Sequence, residues 1–189
     1  MTTPDDGTRA IDLLPYVRAF TTGTRKGLFR VLKNRCKVSA AWLPDSGTPR
    51  PKTADFDAIW DTGATNSAIT QAVIDECGLL PSGMAQVHGV HGSQETETFL
   101  VNIELPDNVV FTALKVSKGA FRDADILIGM DIISRGDFSV TNCDGRSQFS
   151  YRAPSMEHID YVALVKAARE ARAEPKNRAA RRRAKLGRS

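Results

Sequence analysis

Phe56–Ala64 reads FDAIWDTGA, an apolar strand that runs straight into an aspartate with Thr62 and Gly63 directly behind it. Ala58, Ile59 and Trp60 predict a buried, rigid approach, and a carboxylate at the end of a core strand is expensive unless something uses it. Thr62 adds a short hydroxyl. Gly63 lets the backbone turn sharply and come close to a neighbour. The stretch therefore marks Asp61 as a candidate catalytic residue.

Working outward, the signals on both sides are β. KVSAAWL before it reads as one strand, DSGTPRPKT as a long turn rich in Gly and Pro, and FDAIWD as the return strand of a hairpin that delivers Asp61 to its end. After it the period changes. Ile69, Val73, Ile74 and Cys77 sit at helical spacing, and Gly78 followed by Leu79 reads as a helix C-terminal cap. HGVHGSQETETFLVNIELP is a turn-rich hairpin region and NVVFTALKVS another strand. DADILIGMDIISRGDFSVTN predicts a buried strand, a short helix over Asp131–Arg135 stopped at Gly136, and a strand resuming at Phe138. QFSYR closes the sheet. Asp131 reads as the cap of that helix, and Asp123 and Asp125 as turn and strand-start residues without catalytic duty. Strands recur at short spacing with two brief helices, so residues 36–152 read as an all-β barrel or closed sandwich.

Four regions follow: an N-terminal extension over 1–35, whose periodicity does not choose between helix and strand, the β domain over 36–152, an amphipathic helix over 153–174, and a basic tail over 175–189. Ile159, Val162, Val165 and Ala168 form the stripe of that helix, which Tyr161 and Leu164 widen and Pro175 ends. The chain of 189 residues, 41% hydrophobic, is long enough for one sizeable core. It has no run of about 18 apolar residues, and its polar, acidic start does not resemble a signal peptide, so a cytoplasmic protein without a membrane span is expected. Cys36, Cys77 and Cys143 lack CxxC spacing and predict reduced, semi-buried thiols, neither a disulfide framework nor a zinc cluster. Net charge is +4, but residues 176–189 hold seven of the 26 basic residues and no acid, which leaves 19 basic against 22 acidic groups in the rest, about −3. Any nucleic-acid contact must then rest on the tail over 176–189. Three readings of the tail stand: a solvated terminus, non-specific phosphate binding, or recognition and processing at its basic sites.

Taken together, AIWDTGATNSAIT and ILIGMDIISRGDF resemble the retroviral-type aspartic proteases, the retropepsins, over roughly Val38–Asn142. The resemblance implies a closed β-barrel of the acid-protease type, peptide-bond hydrolysis, and no metal or organic cofactor. Two carboxylates that share one proton can activate water and protonate the leaving amine. One Asp-Thr-Gly is present, so the resemblance further implies a homodimer in which Asp61 of each subunit completes the pair, with a peptide or protein as substrate and limited processing of partner proteins as its job. By the same resemblance Thr62 bonds across the two-fold axis, Gly63 permits close approach, and Ala64, standing where the pepsin branch has Ser, makes the pair less acid-adapted.

Ile126, Leu127, Ile128 and Gly129 match the family's support strand beneath the active site. His88, Gly89, Val90, His91 and Gly92 lie where the family carries the tip of a mobile flap. The two histidines are a departure, either substrate contacts that add pH dependence or exposed turn residues, and a His-x-x-His metal pair lacks a third ligand nearby. The family's Arg one residue after the second glycine and its acid after the DTGA are replaced by Met130 and by Thr65-Asn66, so something else must support the dimer. The rival classes are a catalytically silent binding or assembly module of the same fold and a nucleic-acid binder acting through its tail.

Overall fold

The structure, a computed structural model, describes residues 16–44, 47–89 and 92–172. The chain divides into two units, one ending at Met156 and one starting at Glu157. In the first, the strands are β1 (Arg18–Gly23), β2 (Lys33–Ala40), β3 (Thr53–Trp60), β4 (Ala68–Ile69), β5 (Gly83–Gly89), β6 (Gly92–Leu105), β7 (Val109–Lys118), β8 (Ile126–Ile128), β9 (Asp137–Cys143) and β10 (Arg146–Ala153). Two short helices interrupt them, α1 (Gln71–Cys77) and α2 (Met130–Ile133).

Seven strands lie in the order β2-β3-β8-β4-β7-β6-β5, and β2 also pairs with β6, which closes six of them into a barrel. β5 extends from the ring as the outer strand of a hairpin. Period-two alternation builds the wall. Phe56, Ala58 and Trp60 of β3 are buried while Asp55 and Asp57 are exposed, and Cys36 and Val38 of β2 point the same way as Phe99, Val101 and Ile103 of β6. In β7 the inward set switches from Phe111 to Leu114 across a bulge opposite Val101/Ile103. Ala113 there takes a φ of 51°, and its N–H is satisfied by Asn102 Oδ1 at 2.9 Å.

A second sheet, β1-β10-β9, packs against the end of the barrel through an aromatic cluster. Trp60 stacks on Phe138 at 5.3 Å and meets Phe149 and Tyr151 at 5.7 and 5.1 Å. β1 arises from the segment that the sequence reading leaves as an extension, so part of that extension is sheet. β9 and β10 turn on Asp144-Gly145, both at positive φ (50° and 68°), the two-residue Asp-Gly hairpin that the linear reading passed over.

The second unit contains a helix, α3, over the described residues 161–172. It starts later than the apolar stripe suggests, because Asp160 caps it. Asp160 Oδ1 accepts from the N–H groups of Val162 and Ala163 at 2.8 and 3.1 Å. The basic residues 176–189 lie outside the described residues. Among the described residues, no helix is long and apolar enough to cross a membrane.

Candidate active site

Asp61 follows β3 by one residue, and its backbone N–H donates to Ile128 O at 2.9 Å. β8 runs parallel to β3 in the register Ala58↔Ile126, Ile59↔Leu127 and Trp60↔Ile128, so the two strands end side by side. The loop then turns tightly, with Gly63 N donating to Asp61 Oδ1 at 2.8 Å and Ala64 N to Asp61 O at 3.2 Å. These bonds aim the carboxylate outward. The expectation of a buried acid is corrected here: Ala58 and Trp60 are buried, but Asp61, Thr62 and Gly63 are exposed in the single chain. The strand is apolar because it crosses the core, and its last residue is already beyond the core.

α2 underpins the loop. Met130 N donates to Ala64 O at 2.8 Å and Asp131 N to Thr65 O at 3.1 Å. Gly129 N donates to Ser67 Oγ at 3.0 Å, and Ser67 Oγ donates to Asp131 Oδ1 at 2.7 Å. A hydroxyl–carboxylate pair thus stands in the place where sequence reasoning looked for an Arg–acid pair. The helix spans Met130–Ile133 and has Gly129, not Asp131, as its N-cap. Asp131 instead uses Oδ1 on Ser67 and on Ile132 N (3.0 Å), while its buried Oδ2 has no hydrogen-bond partner. Sequence reasoning missed Ser67, which nothing in ATNSAIT sets apart from the neighbouring small polar residues Thr65, Asn66 and Thr70.

Gly129 is demanded by space. A Cβ there would lie 2.6 Å from Asn66 C, 2.7 Å from Asn66 O and 3.0 Å from Ala64 O. Behind α2, the buried Tyr151 hydroxyl donates to Ile132 O at 2.7 Å, and burial holds its pKa well above the usual tyrosine range, so it stays a neutral donor. Asp123 and Asp125 lie in the loop before β8. Asp123 has a φ of 63°, and Asp125 exchanges backbone bonds with Asp57 and Thr70 and accepts from Asp57 N through Oδ2.

A cleft of about 510 Å³ opens beside the loop, lined by Gly63–Asn66 on one side, Ala85, Gln86, Val87 and Thr98 of the hairpin on another, and Lys115, Val116 and Ser117 of β7. Among the described residues Lys115 is its one charged lining residue, and sequence reasoning did not single it out. Gly89 and Gly92 pair at the tip of the β5–β6 hairpin. Val90 and His91 lie outside the described residues; His88 is described as backbone, in register with Ser93. Among the described residues, no group of three or more His, Cys, Asp or Glu is placed to hold a metal.

Residues 52–135 match the family model described as "gag-polyprotein putative aspartyl protease", a match that spans the Asp61 loop, the hairpin, β8 and α2. The segment from β3 to α2 is therefore similar to that family. Among solved structures, a retropepsin-like aspartic protease from Rickettsia conorii is similar at 13% identity and a TM-score of 0.42, covering 72% of this chain and 95% of that one. The simian foamy virus (mac) protease is similar at 15% identity and a TM-score of 0.36, covering 55% and 92%. No curated protein matches the chain. The barrel carries, in one chain, one Asp-Thr-Gly loop, with β8 beside it and the β5–β6 hairpin lining the same cleft.

Proposed function

We propose that the protein is an aspartic endopeptidase whose active site forms between two copies of the chain, each contributing Asp61. The observation that carries this reading is the presentation of Asp61, an exposed carboxylate oriented by Gly63 N, on the loop whose residues Gly63–Asn66 line a cleft together with the β5–β6 hairpin. Two such carboxylates at contact distance hold one proton between them. The ionised one takes a proton from the attacking water, and the protonated one polarises the scissile carbonyl before the proton passes to the leaving amine. Thr62 and Gly63 are the residues through which the two loops would meet. The substrate is an extended peptide laid along β5, which among the described residues pairs with β6 alone and so has an outer edge open to a further strand. Ala64, Ala85, Val87 and Val116 offer apolar contact beside the cut. Limited processing of partner proteins fits a cleft lined in part by the β5–β6 hairpin, and the proposed chemistry calls on no metal or organic cofactor.

The test incubates the purified chain with a peptide library, with and without an active-site aspartic protease inhibitor, beside Asp61→Asn. Cleavage should fall by about a thousandfold in the variant, in the range that acid–base residues supply, while circular dichroism and solution mass stay unchanged. Full activity in Asp61→Asn would sink the mechanism. A strict monomer without turnover at micromolar concentration would favour a silent binding module.

A further inference from the structure

Resting on the endopeptidase reading above, we propose that Lys115 makes the cleft beside the Asp61 loop an anion-recognising subsite, so that the preferred substrate is a peptide with an Asp or Glu side chain a few residues from the bond that is cut.

Strand alternation puts the lysine there. In β7, Leu114 and Val116 are buried, and Lys115 between them is exposed and lines the cleft. Across the β6–β7 ladder Lys115 stands opposite Leu100 and Ser117 opposite Thr98, which on its other side meets Gly83 of β5. Lys115, Ser117, Leu100 and Thr98 therefore share the face of the sheet that lies opposite Phe99 and Val116. Leu100 is half-exposed, and a cross-strand leucine supports the aliphatic stem of a lysine whose ammonium stays in water.

Partners distinguish this lysine from its neighbours. Strands β2 and β7 hold Lys33, Lys37, Lys115 and Lys118. Lys33 donates to Asp123 O, Lys37 to Glu104 at 3.3 Å and Lys118 to Glu97 at 3.4 Å. Among the described residues Lys115 has no such acceptor. Glu95 and Glu97 of the hairpin alternate to the other face from Thr96 and Thr98, opposite Gln86 and Met84. The described lining of the cleft holds no carboxylate at all, while Asn66, Gln86 and Ser117 add uncharged hydrogen-bonding groups.

A cation in a cleft without a counter-charge is complementary to an anionic ligand group. In a peptide extended along β5, every second side chain points to the same face. A carboxylate at one of those positions supplies the missing charge, and its amide counterpart fills the same space without it.

A peptide library with Glu, Gln or Lys fixed in turn at each position tests this, read as kcat/KM for the wild type, Lys115→Arg, Lys115→Gln and Lys115→Glu. At one position or at alternate positions the wild type should prefer Glu over Gln by about threefold to tenfold, the scale of one partly exposed charge pair, and less at high salt. Lys115→Arg should keep the preference, Lys115→Gln abolish it, and Lys115→Glu turn it towards Lys. A merely structural role would change all the peptides by one factor and leave their ratios alone. That result, or a wild type indifferent to Glu at every position, would overturn the subsite and spare the endopeptidase. If no peptide is cleaved, the Kd values of the same peptides, fluorescein-labelled and read by anisotropy, decide. A Glu preference lost in Lys115→Gln would uphold the subsite and overturn the endopeptidase; no preference would overturn both.

Discussion

Gly129→Ala isolates the contact between the residue directly after β8 and the loop that follows Asp61. The new Cβ would sit 2.6 Å from Asn66 C and 3.0 Å from Ala64 O, which are backbone atoms that no rotamer change can move aside. Ordinary contact begins at 3.4 Å, so the loop over Ala64–Asn66 must retreat by roughly 0.8 Å. That shift stretches the bonds from Met130 N to Ala64 O and from Asp131 N to Thr65 O, now 2.8 and 3.1 Å. Overpacking costs about 1–3 kcal/mol, and weakened backbone bonds add about 1 kcal/mol, so the variant should lose about 2–4 kcal/mol. For a chain of this size that lowers Tm by roughly 5–15 °C. The same shift moves Asp61 by a comparable distance, and misplacement of about 1 Å costs roughly a hundredfold in rate. Thermal melts and peptide cleavage on one preparation measure both. Gly23→Ala is the control, because a Cβ there makes ordinary contact with Ser147 O at 3.6 Å and should shift stability by no more than about 0.5 kcal/mol. A Gly129→Ala protein that melts and cleaves like the wild type would refute the reasoning.

Two further outcomes follow from side-chain electrostatics. Burial pushes the Asp137 carboxyl up, but hydrogen bonds from Ser155 Oγ and Met156 N and the Arg152 guanidinium more than offset this and hold it below the usual 3.8. Its contribution, about 1–3 kcal/mol, is therefore complete above about pH 4 and lost as pH falls through the depressed folded value. Asp137→Asn should lower Tm at neutral pH and converge with the wild type in acid; a gap independent of pH would contradict this. Lys115, the charged residue of the cleft, should favour a substrate acid beside it. Lys115→Glu should shift kcat/KM between Glu- and Lys-bearing peptides by roughly tenfold, less at high salt, and equal preference in both proteins would discount the role.

Much of this architecture is local, and local features were legible. Alternation in Phe56–Trp60, helical spacing over Val73–Cys77 with Gly78 at a φ of 59°, and the apolar run Ile126–Ile128 place barrel strands and helices from neighbours in sequence alone. The N-terminal segment resisted because β1 takes its periodicity from a partner, β10, more than a hundred residues away. The α3 boundary was missed because an apolar stripe says where a face lies, while a cap such as Asp160 says where the helix starts.

The sequence by itself determined that Asp61 ends a core strand, that one Asp-Thr-Gly is present, and that a glycine follows the second apolar run. Only the tertiary structure decided how these act together. It left the carboxylate after the strand exposed, and it put Ser67 and Asp131, 64 residues apart, on one hydrogen bond. It also stacked Phe138 beneath Trp60. The reason is physical: strand pattern follows from nearest neighbours, whereas exposure, close approach and pairing depend on which distant backbone the closed barrel brings alongside.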